Sequence, residues 1–157
     1  MRRLSGLCCC LCLASCSSKD YGDHPPYPVS GQVLVNGQPA NGARVVFHHL
    51  DGWGEKSIVP QAVTGEDGRF VLSTYGTGDG APAGDYRVVV AWPAYRRGRN
   101  VGPDRLMGKF AKPETSGMKA HIEPGPNELP PFDLKATVSA VEPTQPPRGG
   151  GGAKKDR

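Results

Sequence analysis

Cysteine thiols are the most reactive side chains in this sequence, and all five lie within its first sixteen residues: Cys8, Cys9, Cys10, Cys12 and Cys16. A thiol can bind a metal ion, form a disulfide or accept a covalent modification. No His or carboxylate lies among them, which disfavours a metal site, and Cys in an apolar stretch also serves as a small hydrophobic residue. Beyond position 16 the chain has no Cys. The sequence therefore predicts neither a disulfide framework nor a thiol nucleophile in the folded part.

The histidines are the next residues with chemistry to consider. A zinc peptidase needs paired His residues with a Glu at helical spacing, and no H-E-x-x-H motif occurs. Neighbouring side chains on a strand point to opposite faces, so His48 and His49 are not expected to share one ion. Either would need His121 from an adjoining strand. Asp79 and Asp85 provide too few oxygens for a calcium site, and the segment around Asp79 is interpreted as a turn. We expect no enzyme activity, no cofactor and no metal ion.

A concentration of positive charge marks residues 92–112, which hold one acidic residue, Asp104, and six basic ones: Arg96, Arg97, Arg99, Arg105, Lys109 and Lys112. Two interpretations stand side by side: this segment binds an anionic envelope polymer or lipid headgroup, or it is a solvated loop without a ligand. Trp53 also has two interpretations: its side chain either stacks on a sugar or closes one end of the fold. Residues 28–142 carry twelve basic and twelve acidic side chains, so the charge does not indicate a nucleic-acid partner.

Alternation of apolar and polar residues with a period of two dominates the middle of the chain. It predicts seven strands, at residues 29–35, 43–49, 59–64, 69–74, 86–92, 118–123 and 132–135. In the second of these, Val45 and Phe47 lie on one face and Arg44 lies on the other. Turn residues lie between them, including Asn36-Gly37 and the segment 65–68. The fold class predicted is all-β, a seven-stranded antiparallel β-sandwich. The run Val88-Val89-Val90 predicts burial on both faces of its strand. Tyr86 is interpreted either as a tyrosine corner or as a plain inward-facing aromatic residue.

The first residues have the layout of an export signal. Arg2 and Arg3 precede an apolar stretch at 4–13 that is too short to span a bilayer. Its end, Leu13-Ala14-Ser15-Cys16, resembles the bacterial lipoprotein signal. That resemblance implies diacylglycerol on the Cys16 sulfur and cleavage before it, with 1–15 as signal peptide and 16–28 as a polar, Pro-rich tether. An ordinary secretory peptide, cleaved after Ala14 or Ser15, is the alternative. The lipoprotein interpretation predicts a cell-envelope location, on the periplasmic side or at the outer membrane.

Several turn and strand motifs resemble one domain family. Gly31-Gln32-Val33 followed by 36–40, then Thr64-x-x-Asp67-Gly68-x-Phe70, then Gly84-x-Tyr86-x-Val88, resemble carboxypeptidase regulatory-like domains. The stretch 109–118, with later Pro-Gly and Phe-x-Leu motifs, is similar to small planctomycete-type lipoproteins. The resemblance implies a transthyretin-like (prealbumin-like) sandwich over residues 29–140. It also implies a structural or adhesin-like module.

The last seventeen residues, 141–157, contain four consecutive glycines and no large apolar side chain after Val141. Such a composition does not offset the entropy of ordering, so a disordered tail is expected. The sequence as a whole predicts a lipid-anchored envelope protein with a non-catalytic sandwich in a structural or interaction role. The expected partners are the membrane, through the lipid on Cys16, and an envelope polysaccharide or another envelope protein. A carbohydrate- or anionic-polymer-binding module is the alternative function.

Overall fold

A computed structural model describes residues 21–52, 58–95 and 101–139, and in these ranges the chain forms strands and turns but no helix. The predicted segments 1–15 and 141–157 lie outside the described residues, as do Cys16, Trp53, Arg96, Arg97 and Arg99. The strands are β1 Pro26–Tyr27, β2 Val29–Val35, β3 Gln38–Pro39, β4 Arg44–His49, β5 Gln61–Val63, β6 Arg69–Val71, β7 Ala81–Pro82, β8 Gly84–Ala91, β9 Pro93–Tyr95, β10 Val101–Asp104, β11 Met118–Ile122, β12 Asn127–Glu128 and β13 Phe132–Leu134. In the part described, no apolar helix has the length needed to cross a bilayer.

Two main sheets are formed. The first has the order β11-β8-β4-β5 and is antiparallel throughout. The second is centred on β2, in which Ser30 pairs with both β6 and β12, and Leu34 pairs with both β3 and β13. Two short ladders, β1–β7 and β9–β10, complete the pairing.

The expectation of an entirely antiparallel sandwich is wrong at the C-terminal strands. Both β12 and β13 run parallel to β2. The physical reason lies in the crossover: β11 ends at Ile122, and Asn127 then pairs with Val29, the first residue of β2. The chain thus enters the second sheet where β2 begins and travels in the same direction.

Each of the seven predicted segments coincides with or overlaps an observed strand, and β2 has the predicted bounds. The six further strands are two to four residues long, and two of them, β9 and β10, lie inside the segment expected to be a loop. The turn at 65–68 forms, with the Gly65 amide donating to the Arg69 carbonyl. However, β5 and β6 belong to different sheets and share one isolated bridge, Gln61–Ser73. That turn therefore joins the two layers.

One hydrophobic core lies between the sheets. Val45 and Phe47 of β4 are fully buried, whereas Arg44 on the opposite face is exposed, as the alternation predicted. The Phe47 ring lies 6.4 Å from the ring of Phe70, which belongs to the other sheet. Burying such side chains stabilises the fold by roughly 1.5–3 kcal/mol each. A core shared by two sheets gives the chain a β-sandwich-like architecture.

The central run of β8 is buried on both faces, with Val88 and Val90 inaccessible and Val89 only 8% exposed. This confirms the prediction made from three consecutive valines. The turn at Asn36-Gly37 is also confirmed: both residues have positive φ, 53° and 80°, which a two-residue hairpin turn requires.

The sandwich has two ends that matter for function. The proximal end, where the described chain enters the fold, comprises the segments 21–28, 49–52, 71–85 and 121–128. The distal end comprises 35–43, 63–68, 91–95, 101–117 and 134–139. Because β8 has eight residues, the two ends are separated by about 25 Å.

Candidate functional site

At the proximal end the N-terminal segment is fixed to the sandwich eight residues before β2 begins. The Tyr21 ring lies 4.9 Å from the ring of Tyr75, and the Tyr75 hydroxyl donates to the His24 carbonyl at 3.1 Å. Pro26 and Tyr27 then pair with β7 as strand β1. The first described residues therefore contact the sandwich, within the range predicted as a tether.

The loop that receives this segment is shaped by one carboxylate. Asp79 accepts hydrogen bonds from the backbone amides of Thr74, Tyr75 and Gly76, at 2.7, 3.0 and 2.7 Å. These bonds occupy the carboxylate with backbone donors, as the interpretation of this segment as a turn requires. Burial, followed by the charge of Asp79, raises the pKa of Tyr75.

Gly80 follows this loop in a conformation that other residues rarely adopt, with φ at 92°. A Cβ atom placed there would lie 1.7 Å from the Tyr27 carbonyl oxygen. The close approach of the two backbones, on which the β1–β7 ladder depends, thus requires glycine.

Tyr86 combines the two interpretations that the sequence left open. Its side chain is fully buried, and its hydroxyl donates to the Pro82 carbonyl, four residues upstream, at 2.7 Å. It is therefore both an inward-facing aromatic residue and a tyrosine corner. Burial, with a smaller contribution from Tyr75, raises the pKa of this hydroxyl well above its ordinary value.

The described segments of the proximal end are acidic apart from their histidines, and two cations, Lys119 and Arg69, lie beside them. These segments contain no Lys or Arg and six carboxylates: Asp23, Asp51, Asp79, Asp85, Glu123 and Glu128. His121 Nδ1 lies 2.7 Å from Asp85 Oδ1, with both side chains about 60% exposed. Glu128 reaches the guanidinium of Arg69 at 3.7 Å, also on the surface.

The structure separates the histidines considered for a metal site. His48 and His49 lie on β4 and His121 lies on β11, with β8 between those two strands. The condition that their strands adjoin is therefore not met. Within the described ranges, no group of three or more His, Cys, Asp or Glu side chains is placed to hold a metal ion.

Trp92 closes the distal end. It is 9% exposed, and its indole nitrogen donates to the Asn41 carbonyl at 2.8 Å. The Arg105 guanidinium lies 3.7 Å from the centroid of its ring, a cation–π contact. Arg105, one of the residues predicted to contact an anionic ligand, is thus held against the end of the core.

A second carboxylate organises this end in the same way as Asp79 organises the other. Asp104 accepts the backbone amides of Trp92, Leu106 and Gly108, at 2.8, 3.0 and 2.9 Å. Together with the β9–β10 ladder, these bonds give the described part of the 92–112 segment a defined structure.

The other two described basic residues of this segment have different surroundings. Lys109 Nζ donates to the Lys135 carbonyl at 2.7 Å and lies 5.2 Å from the centroid of the Phe110 ring. Lys112 is exposed. Arg105 and Lys109 thus both contact other parts of the protein, and the anionic-ligand contact predicted for the six basic residues stays a prediction.

Two depressions indent the described surface. One, of about 560 Å³, lies between Pro28, Val71 and Pro126 at the proximal end. The other, of about 170 Å³, lies between Leu50, Lys119 and the His121–Asp85 pair. Sequence reasoning missed both, because each is assembled from segments distant in the chain. It also missed the Tyr21–Tyr75 contact, for which the only signal was an aromatic residue within a polar segment.

Comparison with known proteins places the chain in no family, since no protein-family model and no curated protein matches it. Two solved structures show a limited similarity. One is a DUF3823 family protein from Parabacteroides merdae, with 17% identity and a TM-score of 0.41 over 74% of this chain. The other is a 9R-lipoxygenase from Cyanothece, with 14% identity and a TM-score of 0.36 over 77% of this chain. The chain spans 48% of the first structure's length and 18% of the second's.

Proposed function

We propose that this is a lipid-anchored cell-envelope protein whose β-sandwich is non-catalytic and has a structural or interaction role. One observation carries the proposal: the chain is fixed to the sandwich from Tyr21 onward, five residues after the lipidation motif that ends at Cys16. An acylated Cys16 would hold a folded module at a membrane without any transmembrane helix. Two or more acyl chains suffice for stable attachment, since each buried methylene contributes about 0.8 kcal/mol.

The non-catalytic role is supported by what the polar side chains of the described sandwich do. Asp79 and Asp104 each accept three backbone amides, and the Tyr86 hydroxyl is bonded within the core. These groups hold loops and strand ends in place. A module held rigid in this way is suited to a structural or interaction role.

The finer fold assignment within this proposal is a carboxypeptidase regulatory-like, transthyretin-like domain. It is supported by the Thr64-x-x-Asp67-Gly68-x-Phe70 motif. Asp67 accepts the Arg69 amide at 3.0 Å, Gly68 has a φ of 74°, and Phe70 enters the core. The buried Thr64 hydroxyl, which bonds to the Ala40 carbonyl, joins this turn to the segment after β3.

Lipid attachment is tested by expressing the full chain in a didermal bacterium fed an alkyne-tagged fatty acid. The wild type is expected to incorporate the tag, to fractionate with membranes and to show an acylated Cys16 by mass spectrometry. Cys16→Ala should abolish the tag and release the protein from the membrane. Cys12→Ala is the matched control and should behave as the wild type. Equal labelling of Cys16→Ala and the wild type would refute the proposal.

A further inference from the structure

The length of chain between Cys16 and the sandwich limits the distance between the sandwich and a membrane that holds Cys16. Between Cys16 and Val29 lie thirteen residue steps, which span at most about 45 Å when extended. Because Tyr21 already contacts the sandwich, five steps remain between Cys16 and the fold, and these span at most about 18 Å. The distance of about 25 Å between the two ends of the sandwich is greater than this span of about 18 Å.

Three contacts hold the segment down. Tyr21 lies against the Tyr75 ring, the Tyr75 hydroxyl bonds the His24 carbonyl, and Tyr27 pairs with Ala81 in β1–β7. Tyr75 takes part in two of the three, and its own backbone is fixed by Asp79. We call Tyr21, His24 and Tyr75 the clamp.

We propose that the clamp makes the proximal end a membrane-facing surface, holding the sandwich close to its anchoring bilayer with the distal end outward. This inference rests on the proposed lipid anchor at Cys16. A reach of about 18 Å is shorter than the roughly 25 Å between the two ends, so the anchored sandwich cannot invert. The distal end therefore faces away from the bilayer that carries the anchor.

The charge of the proximal end indicates the kind of bilayer surface it fits. The six carboxylates of the described segments outnumber the neighbouring cations Lys119 and Arg69, and this excess of negative charge is repelled by anionic headgroups within a Debye length, about 10 Å at 0.1 M salt. Exposed apolar side chains lie at the same end, Leu50, Val71 and Tyr75. A zwitterionic headgroup layer is the surface that this combination fits, since the Tyr ring is suited to a membrane interface.

The first test measures orientation on the full lipidated protein reconstituted in vesicles. Since the chain has no Cys beyond position 16, Leu50→Cys and Met107→Cys give single reporters at the proximal and distal ends. Energy transfer to an acceptor in a phosphatidylcholine bilayer should place the Leu50 reporter nearer by about 25 Å. Adding phosphatidylglycerol at low salt should move it outward, and salt should reverse the shift. Equal distances, or a distal end that comes nearer on anionic vesicles, would overturn the inference.

The second test opens the clamp. Chymotrypsin cleavage after Tyr21 would release the sandwich from vesicles, and the clamp protects that bond. Tyr75→Ala is expected to accelerate release about tenfold, because it removes both a ring contact and a hydrogen bond. Tyr75→Phe keeps the ring contact and should accelerate release by less, and Thr77→Ala, at an exposed position of the same loop, is the control. Release at the wild-type rate by Tyr75→Ala would contradict the clamp.

The two proposals fail separately. Mass spectrometry of the reconstituted sample reports whether Cys16 is acylated before any distance is measured. An unmodified Cys16 refutes the lipid anchor. An acylated Cys16 with equally distant reporters refutes only the orientation.

Discussion

The two ends of the sandwich use the same arrangement on different backgrounds of charge, acidic at the proximal end and mixed at the distal end. At each end one aspartate, Asp79 or Asp104, accepts three backbone amides and shapes the adjoining loop. The proximal end surrounds its aspartate with further carboxylates. The distal end surrounds its own with Arg105, Lys109, Lys112 and Lys135, and with acidic side chains such as Glu66 and Glu114.

The ends also differ in what they hold. The proximal end holds the incoming N-terminal segment through aromatic rings and strand pairing, with Tyr75 still 41% exposed. The distal end holds its own core closed, with Trp92 beneath Arg105. Similar loop construction therefore serves attachment at one end and closure at the other. Because Tyr75 is partly exposed whereas Trp92 is buried, the proximal end is the better place to look for residues that contact other molecules.

The largest effect is expected from Gly80→Ala at the proximal end. The new methyl group would meet the Tyr27 carbonyl oxygen at 1.7 Å and would have to adopt a positive φ. We expect a loss of more than about 3 kcal/mol in the free energy of unfolding, measured by urea titration. Gly117→Ala is the matched control, because its φ of 72° is similar and no atom lies within 4 Å. It should cost only about 1–2 kcal/mol, and an equal loss in both variants would show that β1–β7 contributes little.

A smaller effect is expected from weakening the two organising carboxylates. Asp104→Asn and Asp79→Asn each keep one acceptor oxygen and replace the other with a donor, next to amides that also donate. Each should lower the free energy of unfolding by about 1–3 kcal/mol, since hydrogen bonds to a charged group are involved. Hydrogen exchange should quicken locally, around Gly108 in the first variant and Gly76 in the second. Faster exchange at both ends in either variant would contradict independent ends.

The smallest effect is expected from Arg105→Gln. Loss of the cation–π contact with Trp92 should cost about 0.5–1 kcal/mol, seen as a lower thermal midpoint and a changed Trp fluorescence spectrum. Lys112→Gln removes the same charge from an exposed position and should leave both readings unchanged. Were the two variants to behave alike, Arg105 would be a surface charge and not part of the closure.

The sequence predicted which face of a strand each residue occupies, and where turns lie, better than it predicted which strands pair. Alternation placed Val45 and Phe47 inside and Arg44 outside, because strand geometry alone decides which side a residue takes. The turn at Asn36-Gly37 followed from the positive φ that these residues tolerate. Neither signal specifies which strand lies alongside or in which direction it runs. The sequence pattern therefore could not predict the parallel pairing of β13 with β2.

The candidate site was harder to predict for a related reason. The aromatic contact of Tyr21 with Tyr75 joins residues 54 positions apart, and no local pattern links them. Pro93 and Pro103 lie in β9 and β10, where proline disfavours a strand assignment, so the sequence does not predict this antiparallel pair. The positive charge of Arg105 and Lys109 was visible in the sequence, but their internal partners were not.

The parallel register of β13 beside β2 has a mechanical consequence. The described chain enters at the proximal end before β2 and leaves β13 at the distal end, so tension between the two termini pulls these neighbouring strands past each other lengthwise. Under that geometry the hydrogen bonds of the pair share the load together, whereas an antiparallel hairpin pulled from its open end would unzip one bond at a time. A strained connection from Tyr21 to Ser139 would thus be resisted by shear.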